Sequence, residues 1–259
     1  MKRFAVFAIG LCLAGVLAWV AVVETQELEI RELRVDAADG PQKTLAVVSD
    51  LHLTDIGARE RKLIDLLALR QPDIVILLGD VVDTPDDLPT LATLLASLPP
   101  GQRLAVLGNW EYWSGIDLAA LRRVYAAYDV QLLVNDCHAG IVGLDDDTAG
   151  QPDLSLALAR CPNGAADSPP LVLLQHSPGF FERPIAPGRA FALSISGHTH
   201  GGQVTLFGWA PWTPPGSGSF LAGEYTTSLG RLYVTRGVGT SLIPLRLGAP
   251  PEVLFVTSY

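Results

Sequence analysis

The sequence predicts an α/β fold, and three observations carry that expectation. Short runs rich in Leu, Ile and Val at residues 44–49, 74–79 and 104–107 have the length and composition of buried parallel strands. Between them, residues 59–69 and 88–97 space their apolar side chains at helical intervals. Polar, glycine-bearing turns stand directly after the strand-like runs, where an α/β sheet presents its site.

The chain opens on Met1, Lys2 and Arg3, and residues 4–23 then form an apolar run without a charge. A bilayer takes roughly 20 apolar residues to cross. A cleaved signal peptide is the competing reading, but its apolar stretch usually covers about 7–15 residues and ends at a small-x-small site. This run is longer and ends Ala18-Trp19-Val20-Ala21-Val22-Val23. Residues 1–26 are therefore expected to be an N-terminal membrane anchor or signal, with residues 27–259 as one folded domain. Basic flanks stay in the cytoplasm, so Lys2 and Arg3 place the chain in the inner membrane with its domain extracytoplasmic; Arg31 and Arg34 reduce that asymmetry. Leu11 is too large for lipoprotein processing before Cys12, so no lipid anchor is expected.

Residues 27–35 read as a first strand joining anchor to domain, and the β-α-β-α-β rhythm of residues 44–107 follows. The second half changes to short strands at 140–144, 171–174, 193–196, 204–207, 231–235 and 253–256. Two packed sheets flanked by helices accommodate both halves. Residues 161–170 and 211–219, rich in Pro, Gly, Ser or Ala, read as loops.

With 259 residues, 49% hydrophobic and 17% charged, the chain can bury a sizeable core and is too apolar to be disordered. A formal net charge of -9 argues against nucleic acid as a partner, because such domains need a basic face to replace counterions. Cys137 and Cys161 would pair in an oxidising compartment or remain free buried thiols, and the sequence leaves both open.

The chemistry follows the strands. Asp50 and His52 come after the first buried run, Gly79-Asp80-Val81-Val82-Asp83 closes the second, and Gly108-Asn109 follows the third. His176 and then Gly197-His198-Thr199-His200-Gly201-Gly202 follow strands of the second half. Carboxylate oxygen and imidazole nitrogen suit Zn, Mn or Fe, and a set without Cys leans away from structural zinc. So many donors need two ions. Four of the chain's five histidines fall in the set, against the bland alternative of unrelated loop and core residues. The glycines let the backbone turn sharply so that neighbouring side chains share one cavity. Asp83 would orient a ligand or be a solvated loop residue, while His138 stands outside the set. Trp209, Trp212 and Phe220 bracket a Pro/Gly-rich loop that would touch lipid or an apolar part of a substrate, or merely pin the loop by packing.

With this ordered set, the sequence resembles the calcineurin-like metallophosphoesterases, whose motif order it follows from Asp50 to Gln203. Its tail, Arg236-Gly237-Val238-Gly239-Thr240-Ser241 with Pro244, Arg246 and Pro251-Glu252, resembles the bacterial membrane-associated branch of that family. The resemblance implies a four-layer α/β/β/α sandwich with a dinuclear metal site at the strand ends, so that residues 27–259 form a metallophosphoesterase domain. It implies that Asp50, His52 and His200 bind one metal, that Asn109, His176 and His198 bind the other, and that Asp80 bridges them. Asp80, Asn109 and His198 are also the expected catalytic residues. Two divalent ions, Mn, Zn or Fe, would clamp the phosphate oxygens while a metal-bound hydroxide attacks phosphorus in line. The implied substrate is a phosphate ester cleaved by a phosphodiesterase or pyrophosphatase, membrane-related because the anchor holds the site near the bilayer. The rival is a catalytically weak or silent metal-binding scaffold.

One position departs from the family pattern. The usual Gly-Asn-His is Gly108-Asn109-Trp110 here, followed by Glu111-Tyr112-Trp113. The family's His stabilises the transition state and protonates the leaving group, whereas an indole N–H donates a hydrogen bond without releasing its proton. Either the leaving group departs unaided, or Glu111, Tyr112 or His138 takes over, or the enzyme is slow.

Overall fold

The computed structural model of the chain describes residues 2–35, 42–161, 172–184 and 190–258 and, within residues 2–17, only some of the side chains. Met1, Leu171 and most of the loop expected at 161–170 lie outside the described residues. The first element, α1 (Lys2–Gln26), is a continuous helix of 25 residues. Among the described residues no helix is long and apolar enough to cross a membrane, and several side chains of the apolar run at 4–23 lie outside the described set.

Strands β1 (Glu29–Val35), β2 (Thr44–Val48), β3 (Ile74–Leu78), β4 (Gln102–Val106) and β5 (Val130–Leu132) are followed by β6 (Asp136–His138), β7 (Ile141–Gly143) and β8 (Val172–Leu174). The chain continues through β9 (Phe191–Ser196), β10 (Gly223–Thr227), β11 (Gly230–Val234) and β12 (Glu252–Ser258). They form two six-stranded sheets, ordered β1-β12-β2-β3-β4-β5 and β10-β11-β9-β8-β7-β6. In the first, β2 to β5 run parallel, and β12 is antiparallel to β2 while parallel to β1. The second has a parallel centre with antiparallel edge strands β6 and β10.

Strand parity builds the layers, because successive side chains of a strand point to opposite faces. Leu45, Val47, Ile74, Ile76 and Leu104 meet Val172, Leu174, Leu193 and Ile195 of the other sheet in one core. Their alternates, Ala46, Val48, Val75, Leu77 and Ala105, face outward onto helices. There α2 (Ala58–Arg70), α3 (Leu88–Ser97) and α5 (Leu118–Ala127) contribute Leu63, Leu67, Leu91, Leu95, Leu121 and Tyr125. A four-residue helix, α4 (Trp110–Trp113), precedes α5, and Asp117 caps α5 by accepting from the amide of Ala119 at 2.9 Å. On the far side of the second sheet, Val142, Leu173 and Leu232 pack under α6 (Leu154–Ala159) and the turn Pro178–Glu182, through Ala157, Phe180 and Phe181. The result is the α/β/β/α sandwich. Cys137 of β6 is disulfide-bonded to Cys161 beyond α6, which closes the question the sequence left open.

Two expected strands change their place. Residues 253–256 lie in β12, but β12 completes the first sheet between β1 and β2. Residues 204–207 form no strand. Leu206 and Trp209 exchange both backbone hydrogen bonds around Phe207 and Gly208, whose φ angles of 50° and 79° make a tight two-residue turn.

Candidate metal centre

The site grows from the carboxyl ends of the central strands of both sheets. Beyond β2 and β3 the two chains stay paired: the amides of Asp50, His52 and Leu53 donate to the carbonyls of Gly79, Asp80 and Val81 at 3.1, 3.0 and 2.9 Å. From the second sheet, the Gly197 amide donates to the His176 carbonyl at 3.0 Å, and the His198 amide crosses to Asp50 Oδ1 at 2.9 Å. Asp50, His52, Asp80, His198 and His200 have φ of 51°, 43°, 50°, 69° and 51°. Left-handed backbone costs a non-glycine residue on the order of 1–2 kcal/mol, so these strained turns gather where the side chains must converge. Gly79 (φ 82°) allows the closest crossing, since a Cβ there would stand 2.5 Å from His176 Nδ1 and 2.7 Å from the Gly108 amide.

All seven residues singled out from the sequence are buried. Asp50, His52 and His200 form one triad and Asp80, His176 and His198 a second, the donor atoms of each lying within 4.8 Å of one another and able to hold a metal ion. The triads adjoin: His176 Nε2 is 3.1 Å from Asp80 Oδ2 and 3.8 Å from Asp50 Oδ1, and His52 Nε2 is 3.8 Å from Asp80 Oδ2. His200 Nε2 is 3.2 Å from His52 Nε2 and 3.6 Å from Asp50 Oδ1. Asn109 shares a cavity with Asp80, His198 and His200.

The donor set fits divalent cations on a test of its own. Asp50 Oδ2, Asn109 Oδ1 and His198 Nδ1 are buried without a hydrogen-bond partner, and His176 Nε2 has only the Asp80 carboxylate beside it. Stranding polar atoms of one cluster is costly unless a cation takes their lone pairs. The electrostatics agree. Burial opposes the charged forms here, yet His176 and His52 hold Asp80 down to about 2, and Asp80 with Asp50 raises His176 well above its ordinary range. Positive charge is therefore stabilised between these residues.

Surrounding groups set the donors. His176 Nδ1 meets the Leu78 carbonyl at 2.7 Å and His198 Nε2 the Pro215 carbonyl at 2.8 Å, which puts their N–H there and leaves the other nitrogen a lone pair. His52 Nδ1 meets Asp83 Oδ1 at 2.5 Å, so Asp83 orients a candidate ligand. Burial works to lower the His52 pKa, but this bond with the charges of Asp80, Asp83 and Asp50 raises it. His200 differs: its Nδ1 lies 3.3 Å from Arg246, a pure donor, and burial together with His52 and Arg246 holds its pKa well below the usual value. Arg246 is fully buried and also donates to the carbonyls of His200, Gly239, Ala249 and Arg236.

Trp110 stands edge-on to His52, with ring centroids 5.5 Å apart. None of the expected substitutes for the missing histidine reaches the cavity. Glu111 spends both oxygens on backbone amides, Oε2 accepting from Asp80 and Gly108 at 3.0 and 2.8 Å and Oε1 from Val81 at 2.7 Å. Burial and the Asp80 charge push its pKa up to about 6. Tyr112 turns away and donates to Asp145 at 2.5 Å, while His138 sits on edge strand β6. Among the aromatics of the Pro/Gly-rich loop, Phe220 is buried against Tyr225, but Trp209 and Trp212 are exposed. The Glu111 and Arg246 contacts escaped the sequence reading, because the decisive ones are distant in the chain, Glu111 with the amides of Asp80 and Val81 and Arg246 with His200.

Residues 43–202 match the model of the calcineurin-like phosphoesterases. The chain belongs to the calcineurin-like phosphoesterase family. It is 31% identical over 228 residues to the uncharacterized metallophosphoesterase YkuE of Bacillus subtilis, an overlap covering 81% of this chain and 76% of that protein. An uncharacterized metallophosphoesterase of Aquifex aeolicus is 30% identical over 253 residues, 91% of this chain and 93% of its own. The Danio rerio transmembrane protein with metallophosphoesterase domain is 26% identical over 231 residues, 81% of this chain and 51% of its own. The two triads thus occur in a metallophosphoesterase fold, with Asn109 buried and lining the same cavity.

The cavity above the centre measures about 430 Å³ and is lined by Trp110, Trp113, Trp212, Leu242 and Ile243 beside the candidate ligands. Its titratable side chains among the described residues are Asp80, His198 and His200. A phosphoesterase of this family built so has an apolar chamber over a polar floor.

Proposed function

We propose that the protein is a metal-dependent phosphoesterase that cleaves a membrane-related substrate bearing an acidic leaving group, a pyrophosphate linkage in preference to an alkyl diester. One observation supports this most directly: among the described residues, the cavity holds no ionisable side chain beyond the candidate ligands. In this reading Asp50, His52 and His200 hold one divalent ion, Asn109, His176 and His198 hold the other, and Asp80 lies between them. The bound ions, Mn, Zn or Fe, would neutralise phosphoryl charge and acidify the attacking water.

The chain's own groups do the rest. Asp50 and Asp80 balance the positive charge, Asp83 and the Leu78 and Pro215 carbonyls fix the imidazoles, and Trp110 excludes water without supplying a proton. A leaving phosphate, with a pKa of about 6, departs as an anion. An alkoxide, about as basic as hydroxide, needs a proton that this cavity lacks.

For location, the uncharged run 4–23 in α1 is the proposed anchor, and the Cys137–Cys161 disulfide favours an oxidising, extracytoplasmic compartment. The Danio rerio relative carries transmembrane in its name, which agrees.

The test is turnover by the full chain in detergent with Mn, Zn or Fe on four compounds: bis-p-nitrophenyl phosphate, p-nitrophenyl phosphate, a dialkyl phosphate and a pyrophosphate diester. Metal-dependent cleavage of the pyrophosphate and the aryl esters is expected, with the dialkyl ester slowest. Metal binding without turnover of any compound would leave a silent scaffold, and an unactivated dialkyl ester cleaved as fast as the pyrophosphate would defeat the leaving-group argument.

A further inference from the structure

The cavity wall continues into a rim of apolar side chains that nothing in the chain covers among the described residues: Trp212, Leu242 and Ile243 line it, and Leu206, Phe207 and Trp209 stand on the turn that follows the lining residues Gln203 and Val204. Leu206, Phe207, Trp209, Trp212, Leu242 and Ile243 are each more than half exposed, Phe207 completely so at the tip of its turn. Residues 201–223 and 237–245, which supply this rim, contain no Asp, Glu, Lys or Arg, in a chain that is 17% charged. Exposed apolar side chains gathered on two uncharged loops beside one cavity signal a partner.

The rim is tied to α1. Near the helix's end, Thr25 Oγ1 accepts from the Arg246 amide at 2.6 Å and Glu24 from the Ala249 amide at 2.8 Å. The same segment pairs with the other rim loop, the Thr205 amide donating to the Leu247 carbonyl at 2.7 Å and the Leu247 amide to the Gln203 carbonyl at 2.9 Å. The Gln203 side chain then donates to the carbonyls of Ser241 and Ile243 at 2.9 and 2.7 Å. The helix with the uncharged apolar run is thus hydrogen-bonded to the loops around the cavity mouth.

We infer that this rim is a lipid-docking surface: Leu206, Phe207, Trp209, Trp212, Leu242 and Ile243 insert into the interfacial layer of the bilayer that holds α1, so that the cavity opens onto lipid. The inference rests on the membrane-related reading above. Tryptophan favours the headgroup boundary, with an apolar body and one N–H for the wet side. Because the rim loops carry no charge, insertion is driven by apolar burial and does not depend on anionic lipid or low salt. A substrate held by acyl chains would enter the cavity without leaving the membrane.

The test places a polarity-sensitive fluorophore at Phe207→Cys, in the full chain with Cys12→Ser, reconstituted in phosphatidylcholine vesicles. Leu69→Cys is the control, an exposed position in the last turn of α2, at the end of the sheet away from the site. A side chain inserted about 5–10 Å deep is within reach of spin-labelled acyl chains. The label at 207 is expected to blue-shift and lose at least about half its emission to that quencher, at low and high salt alike, while the label at 69 stays in water. Equal solvent exposure of the two labels, or failure of the chain to float with vesicles, overturns the inference. So does a label at 207 shielded without lipid quenching, which would mean that a second copy covers the rim. Hydrolysis of the four phosphate compounds by the same vesicles with Mn, Zn or Fe reports separately on the phosphoesterase: quenching without turnover of any of them sinks only the enzymatic reading, and turnover without quenching sinks only the docking.

Discussion

The two triads are alike in composition and unlike in support. The imidazoles of the second, His176 and His198, are held by backbone carbonyls of Leu78 and Pro215, which belong to the fold and carry no formal charge. Those of the first are held by side chains: Asp83 accepts from His52, and Arg246 stands at His200. His176 is therefore fixed once the sheets have formed, and His198 once the backbone of the loop at 211–219 is in place. The first triad depends on the side chains of Asp83 and Arg246, and its two imidazoles face each other at 3.2 Å. Backbone support fixes a tautomer rigidly, whereas a carboxylate also raises the basicity of the ligand it holds. One centre so built has a rigid half and a half tuned by side chains.

That contrast can be broken or sharpened by substitution. Asp80 lies between the halves, so Asp80→Ala should reduce metal-dependent turnover on the order of a thousandfold while the chain stays folded by circular dichroism. Activity within tenfold of the wild type would remove Asp80 from the centre.

Glu111→Gln comes next. It leaves three buried amides with a single good acceptor and should cost about 2–4 kcal/mol of stability in denaturant unfolding. A loss below about 0.5 kcal/mol would mean that water replaces the carboxylate. Because Glu111 clamps the Asp80 and Gly108 loops together, the damage should extend to both triads.

Asp83→Asn separates the halves. It should weaken one of two metal-binding steps by about 10–100-fold in a calorimetric titration and leave the other unchanged. Equal weakening of both steps would show that the halves do not act independently. The smallest effect is expected at His138, the one histidine outside both triads: His138→Ala should change turnover less than about twofold and stability by less than about 0.5 kcal/mol.

Much of the first sheet was legible, because strands buried on both faces must be apolar throughout: residues 44–49 and 74–79 read directly as β2 and β3. The three-residue strands β5 and β6 left no such signal, since so few residues show no period. Helix α5 was missed although its leucines are spaced for burial and Asp117 caps it. The seven candidate ligands were legible for a different reason. Each is a donor-type residue directly after an apolar run, and the chain has few histidines elsewhere. The replacement of the usual histidine by Trp110 was equally plain, but its consequence was not: Glu111 stood next to it in sequence as a candidate acid and points instead at the amides of Asp80, Val81 and Gly108.

The sequence by itself determined the donor chemistry, the strand-forming runs and the absence of charge from the loops that rim the cavity, since each is a property of residues near one another in the chain. Tertiary structure alone decided that β12 joins the first sheet, that Cys137 meets Cys161, that Arg246 reaches His200 and that Phe220 is buried while Trp209 and Trp212 are not. These depend on where distant segments meet. Local pattern carries no record of that distance, and only packing both sheets against each other sets it.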